Sequence, residues 1–117
     1  MSKSIVLEKA IKFALRIVKL YRFLTEVRHE YVLSKQVLIS GTFIAKHARS
    51  AILAESRQVF SSEMFAAMKR ADETEFWLLI LHEGEYLDGQ EYDSINTDCV
   101  ELIKMTTSIA KTTRENE

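Results

Sequence analysis

Residues 34–44 read SKQVLISGTFI, which sets Ser40, Gly41 and Thr42 in the middle of a long helical stretch, in a chain without a single proline. A glycine inside a helix costs roughly 1 kcal/mol relative to alanine, and the usual compensation is the close approach of a neighbouring helix. Three small residues in a row let two helices sit nearer than leucines would. The pattern predicts a tight helical bundle rather than a pocket built around a cofactor.

The chain has 117 residues, enough for one core and one domain spanning 1–117. With no proline and only three glycines there are few places to turn, so a handful of long helices is expected. A single cysteine, Cys99, cannot form an internal disulfide and gives no sign of an oxidising compartment. Near the N-terminus Glu8, Lys9 and Lys12 interrupt the apolar residues before a signal-peptide core could form. No apolar run approaches the roughly 20 residues of a membrane span. A cytoplasmic protein without membrane contact is the expectation.

Periodicity predicts four helices, at about 4–24, 31–53, 57–83 and 95–111. The first carries two apolar stripes side by side: Leu7, Ile11, Ala14, Val18 and Tyr21, and Val6, Ala10, Phe13, Ile17, Leu20 and Leu24. One seam of a bundle needs only one stripe, so part of this surface is expected to meet another subunit. The second helix presents Ser34, Leu38, Gly41, Ala45, Ala48 and Ile52 on one face. The third has a heptad seam of Phe60, Met64, Ala67, Ala71, Thr74, Leu78 and Leu81, with Ser56 as the expected N-cap and Ser61 or Ser62 as the alternatives for a later start. Its FWLLIL segment, 76–81, is apolar on every side and calls for neighbours on several faces. Glu83 to Asp93 reads as the longest loop, Ser94 as the cap of the fourth helix, and Ile95, Cys99, Leu102, Thr106 and Ile109 as its seam. The tail from Lys111, KTTRENE, reads as polar and frayed. Short connections make an all-α, antiparallel up-down-up-down four-helix bundle the economical arrangement.

The net charge of −1 conceals two charged halves. Residues 1–50 carry ten Lys/Arg against three acids, a balance of +7, and residues 51–117 carry six against fourteen, a balance of −8. Lys9, Lys12, Arg16, Lys19 and Arg22 recur at spacings of three and four along one side of the first helix, a strip roughly 20 Å long at 1.5 Å per residue. Lys35, Lys46 and Arg49 extend it from the second helix. Such a strip can track a phosphate backbone, and copies arrayed in an oligomer would multiply the effect. The plainer alternative is a solvated face, partly paired with the acidic half.

Other constellations point away from catalysis. Glu26 and His29 have the Glu-x-x-His spacing of helical di-iron sites, but such sites need a second motif and two further glutamates. His47 and His82 have no partner at ligand spacing, and Asp88, Glu91 and Asp93 lack the order of a calcium loop and read as solvated turn residues. Cys99 falls among apolar residues with no base nearby, and Trp77 lies inside an apolar run, where an aromatic is core. There is no Gly-rich phosphate loop. No cofactor, no metal and no enzymatic activity are expected.

FALRIVKLY (13–21), LSKQ (33–36) followed by SGT (40–42), and ETEFWL (73–78), together with Ser56 and Phe60, resemble the four-helix-bundle proteins encoded by intervening sequences in bacterial 23S ribosomal RNA genes. Accessory proteins of diversity-generating retroelements are similar to the same group. The resemblance implies a ring-like homo-oligomer, a pentamer, without known catalytic activity and with nucleic-acid or ribonucleoprotein association as its role. Four positions depart from the family pattern. Ile39 stands where arginine is usual, His47 at an asparagine, Ser50 at a glutamate, and Arg70 where the family tends to glutamate. Those exchanges imply the loss or rewiring of a polar network, and with it of whatever that network does in the family.

Overall fold

The computed structural model describes residues 2–115, with side chains from Ile5 onward; the tail residues Asn116 and Glu117 lie outside the described residues. Four helices follow one another: α1 (Ser2–Glu26), α2 (Leu33–Ile52), α3 (Arg57–Glu83) and α4 (Gly89–Glu115). Each packs on its neighbours in the cycle α1, α2, α3, α4 and back to α1, while the diagonal pairs do not meet, which is an up-down-up-down bundle. A helix of 27 residues rises about 40 Å, and the molecule measures 46 × 21 × 20 Å.

The core on α1 is the stripe Val6, Ala10, Phe13, Ile17, Leu20 and Leu24, all buried. Its companion stripe is only partly covered: Leu7, Ala14 and Tyr21 are half-buried, while Ile11 is 45% and Val18 37% exposed, with Leu15 beside them 60% exposed. The seam of α3 is the one the heptad spacing gives, from Phe60 to Leu81. In the FWLLIL segment Leu78 and Leu81 are buried, but Phe76 and Leu79 face outward, so the chain by itself does not cover that segment on every side.

On α2 the inward face is rotated from the stripe the sequence suggested. Ser34, Val37, Ser40, Gly41, Ile44, Ala48 and Ala51 are buried, whereas Leu38, Ala45 and Ile52 are half-buried. The reason is that α2 has two close partners. Gly41 lies against Ile17 of α1, and Ser40 faces α3, where its Oγ accepts a hydrogen bond from the Thr74 hydroxyl at 2.9 Å. A face aimed at both helices sits between them, one residue away from the one that α1 alone would select. Thr42 is half-buried and turns its hydroxyl back on its own helix, donating to the Leu38 carbonyl at 2.7 Å.

Helix ends explain where the predicted boundaries moved. α4 begins at Gly89, inside the stretch read as loop, because Asp88 and Glu91 form a reciprocal cap: the Glu91 N–H donates to Asp88 Oδ1 and the Asp88 N–H to Glu91 Oε1, both at 2.8 Å. Those two acids are therefore helix-starting groups rather than solvated turn residues, and Ser94 lies within the helix. At the other end α4 continues to Glu115, beyond the boundary placed at 111, and the Arg114 guanidinium sits 3.7 Å from the centre of the Phe65 ring. Ser56 caps α3, its Oγ accepting from the Val59 N–H at 3.1 Å. At the end of α3 the left-handed residue is Glu85, with φ 70°, and not the adjacent Gly84. The α1–α2 link likewise turns through a left-handed His29, φ 55°. Each costs about 1–2 kcal/mol relative to a right-handed residue, offset here by ladder-ending bonds such as Glu30 N–H to Leu24 O at 2.8 Å.

The start of α2 depends on a buried carboxylate. Glu30 accepts from the N–H groups of Val32, Leu33 and Ser34 at 3.1, 2.9 and 2.6 Å, and its carbonyl accepts from the Ser34 hydroxyl at 2.9 Å. Burial alone would raise this carboxyl, but the backbone donors outweigh it and hold it below the ordinary value of 4.5. A lowered value in the folded state means that the cap contributes its full stability above pH 4.5 and loses it as the pH falls through the folded value. Glu30→Ala should cost about 0.5–2 kcal/mol at pH 7, the range for a lost cap. In urea melts at decreasing pH the gap between variant and wild type should close below pH 4.5; a gap independent of pH would show that the carboxylate is not what caps α2.

Gly41 gives a second prediction. A Cβ at this position would lie 2.7 Å from Ile17 Cγ1 and 3.0 Å from Cγ2 and Cδ1, and the branch of a fully buried isoleucine has little room to retreat. Even alanine is overpacked here, contrary to the mild effect that helix propensity alone suggests. Overpacking costs about 1–3 kcal/mol against roughly 1 kcal/mol gained in propensity, so Gly41→Ala should lower the melting temperature and Gly41→Leu should lower it further. Combining Gly41→Ala with Ile17→Ala should cost less than the two changes summed. An additive pair, or an alanine variant that melts at or above wild type, would remove the close contact from the account.

Candidate nucleic-acid interface

The bundle converts a division along the sequence into a division in space. α1 and α2 are neighbours, with six Lys/Arg against two acids on α1 and three against none on α2. α3 and α4 each carry three Lys/Arg against five acids. One side of the bundle is basic and the other acidic.

The eight cations singled out in the sequence fall into groups. Lys9, Lys12, Arg16 and Lys19 line the wall of two adjoining grooves between α1 and α4, whose other wall carries Glu91, Ser94, Asp98 and Glu101. Two of the four are engaged there. Lys9 Nζ lies 3.0 Å from Glu101 Oε2, and Arg16 reaches Asp98 Oδ2 at 2.7 Å while also donating to the Ser94 hydroxyl at 2.9 Å and carbonyl at 3.2 Å. Lys12 has only a 3.8 Å approach to Glu8 on its own helix, and Lys19 makes no ion pair among the described residues. Arg22 and Lys35 are exposed and likewise unpaired among the described residues. Lys46 and Arg49 line a separate groove between α1 and α2 with Leu7, Ile11, Ala45 and Leu53, and Lys46 Nζ sits 4.4 Å above the Phe43 ring.

Sequence spacing does not reveal the α4 partners. The signal was present in the antiparallel register: Lys9 meets Glu101, and Arg16, seven residues on, meets groups three and seven residues earlier on α4. Arg28 was not singled out either. It donates to the Tyr86 carbonyl and pairs with Glu91 Oε2, both at 3.3 Å, tying the α1–α2 link to the start of α4.

Two of the four positions that depart from the family pattern, His47 and Arg70, lie about Phe43 at the α2–α3 seam. His47 Nδ1 lies 3.4 Å from Glu63 Oε1, Arg70 pairs with Glu73 at 3.2 Å, and Phe43 is the shared surface, 4.8 Å from the Arg70 guanidinium and edge-on to the His47 ring. Ile39 is exposed and takes no part.

The remaining candidates are structural. Cys99 is fully buried, its Sγ directed at the Ala71 carbonyl at 3.4 Å, and burial with nearby acids pushes the thiol up to about 12, the opposite of a nucleophile. His82 stacks on Tyr92 at 4.5 Å and its Nδ1 lies 3.0 Å from the Leu87 carbonyl, so it packs the α3–α4 turn. His29 contacts the Tyr31 hydroxyl, and Trp77 is half-buried with its ring edge-on to Phe76. Among the described residues no three His, Cys, Asp or Glu are grouped as metal ligands, and no helix is long and apolar enough to cross a membrane.

A small antiparallel four-helix bundle with one basic side defines the class of protein. The model of the 23S rRNA-intervening sequence protein family matches residues 2–108, and the chain belongs to that family. A solved structure of a protein of unknown function from the S23 ribosomal protein family of Bacteroides thetaiotaomicron VPI-5482 is 44% identical. It superposes with a TM-score of 0.92 over 95% of this chain and 99% of that one. No curated protein matches.

Proposed function

We propose that this protein is a non-enzymatic, cytoplasmic, self-assembling helical bundle that binds RNA or DNA, alone or within a ribonucleoprotein. The observation that supports this reading is the acid-free α2 lying beside the cationic α1, which gathers a +7 balance on one side of a neutral molecule. Phosphate binding needs cations without acids interleaved, and Lys12, Lys19, Arg22, Lys35, Lys46 and Arg49 meet that condition better than a whole-chain charge of −1 implies. Self-assembly is supported by the apolar side chains left outside, Ile11, Leu15 and Val18 on α1 and Phe76 and Leu79 on α3. These sit on diagonal helices, so they face different neighbours, as a ring such as the pentamer would require.

The alternative reading is a protein-interaction scaffold without nucleic-acid binding. It draws on the pairing of Lys9 and Arg16 with α4, which leaves fewer cations free than the sequence offers.

Titration of a labelled single-stranded RNA across a salt series, with the mass determined by light scattering, separates the two. Each phosphate contact contributes about 0.7 to the log–log salt slope on a single strand, so Lys12→Gln, Lys19→Gln and Lys35→Gln together should flatten it by about two units. Arg16 is left intact because its loss would also unfasten α4. Helicity and assembly mass, expected above a dimer, should not change. Absence of binding at low salt favours the scaffold, and a monomer mass removes the assembly.

A further inference from the structure

We infer that α4 is an internal competitor for the phosphate track on α1, so that nucleic acid binds by displacing Asp98 and Glu101 from Arg16 and Lys9 and loosening α4 from the bundle. The inference rests on the nucleic-acid reading above and concerns how that site is regulated. Three observations converge on it.

The α1–α4 seam is the most sparsely packed of the four, and two grooves open along it. What crosses the seam on the surface is polar: Lys9 with Glu101, Arg16 with Asp98 and Ser94, and Arg28 with Glu91. The first two pairs leave their side chains 40–51% exposed, where an ion pair contributes only about 0.2–1 kcal/mol. A phosphate offers the same cations a charge-assisted contact and releases counterions as it does so, so the exchange is close to balanced for each pair. On the surface of this seam the helices are thus held by interactions that a polyanion can replace, while beneath it Phe13, Ile17 and Leu20 share one buried core with Ile95 and Leu102 of α4.

The groove also contains what a single strand uses. Lys9, Lys12, Arg16 and Lys19 lie in sequence along one wall, which follows a backbone, and Phe13 and Phe23 lie in the floor. Phe13 is 2% exposed while α4 is seated, and Phe23 is half-buried with the Arg28 guanidinium 4.6 Å above its ring, so a base reaches these faces only when α4 moves outward and Arg28 turns aside. The α2–α3 contact through Ser40 and Thr74 does not involve this seam and stays closed.

The test uses a labelled 20-residue oligouridylate and two double variants of equal charge change. Asp98→Asn with Glu101→Gln removes the competitor, and Asp72→Asn with Glu83→Gln removes two acids from α3, diagonal to α1. The first should bind about 2- to 30-fold tighter than wild type, the sum of two exposed pairs, and the second less than twofold at 0.15 M salt, where remote charges are screened. Hydrogen exchange on the wild-type protein supplies a readout without substitution: bound oligouridylate should speed exchange in residues 89–115 while leaving 33–52 and 57–83 protected. Equal tightening by both variants, or α4 exchange that is unchanged or slower in the complex, overturns the competition. If the wild-type protein binds no oligouridylate even at low salt, the nucleic-acid reading itself falls; binding with unaltered α4 exchange removes only the displacement.

Discussion

The contact between Gly41 and Ile17 sets the geometry of the bundle. A backbone without a side chain lets α1 come close at the middle of α2, and on the adjoining position Ser40 takes a hydrogen bond from Thr74 of α3. Two neighbours are fixed to one helix within a single turn. Buried hydroxyls are costly unless paired, so the Ser40–Thr74 bond also specifies the register of α2 against α3. With α1, α2 and α3 placed this tightly, α4 is left to close the remaining side, which it does closely on α3 and loosely on α1.

Much of this was legible in the residues. The small cluster Ser40-Gly41-Thr42 predicts close packing because few other arrangements compensate a mid-helix glycine, and the heptad spacing of α3 predicts its buried seam residue by residue. What escaped has a physical reason in each case. Two stripes on α1 are equally periodic, and only the positions of α2 and α4 decide which becomes core. The start of α4 was missed because Asp88 and Glu91 act as a cap only when both are oriented, and a stretch with Gly84 and Gly89 reads as loop. The role of Glu30 was invisible because a glutamate two residues outside a helix is not a standard cap, and only the turn through a left-handed His29 brings its carboxylate over the helix end. The cationic strip was legible as a set of residues, but the loss of two members to α4 depends on a pairing seventy or more positions away.

Charge in this molecule is arranged by helix. A neutral protein of this size would ordinarily interleave its charges, and here α2 carries no acid over 20 residues while α3 and α4 hold the excess. The acidic helix next to α1 is α4, and on the other seam His47 of α2 lies beside Glu63 of α3. Each basic helix therefore has its own acidic neighbour, and the difference between the two seams lies in what is underneath. Ser40 and Thr74 add a buried hydrogen bond to the α2–α3 seam, whereas surface grooves run along the α1–α4 pairs above the core that all four helices share.

Glu91 gives the bundle a direction. One of its oxygens caps α4 through the Asp88 N–H and the other holds Arg28, which reaches on to the Tyr86 carbonyl, so the two links at that end of the bundle share a single carboxylate. At the far end a groove runs among Ala51, Ile52, Ser56, Phe60, Thr112 and Thr113, and the last turn of α4 is held there by Arg114 lying over the Phe65 ring. The first turn of α4 is thereby tied to both links at once, and opening it has to break the pair with Arg28 as well as the helix's own cap.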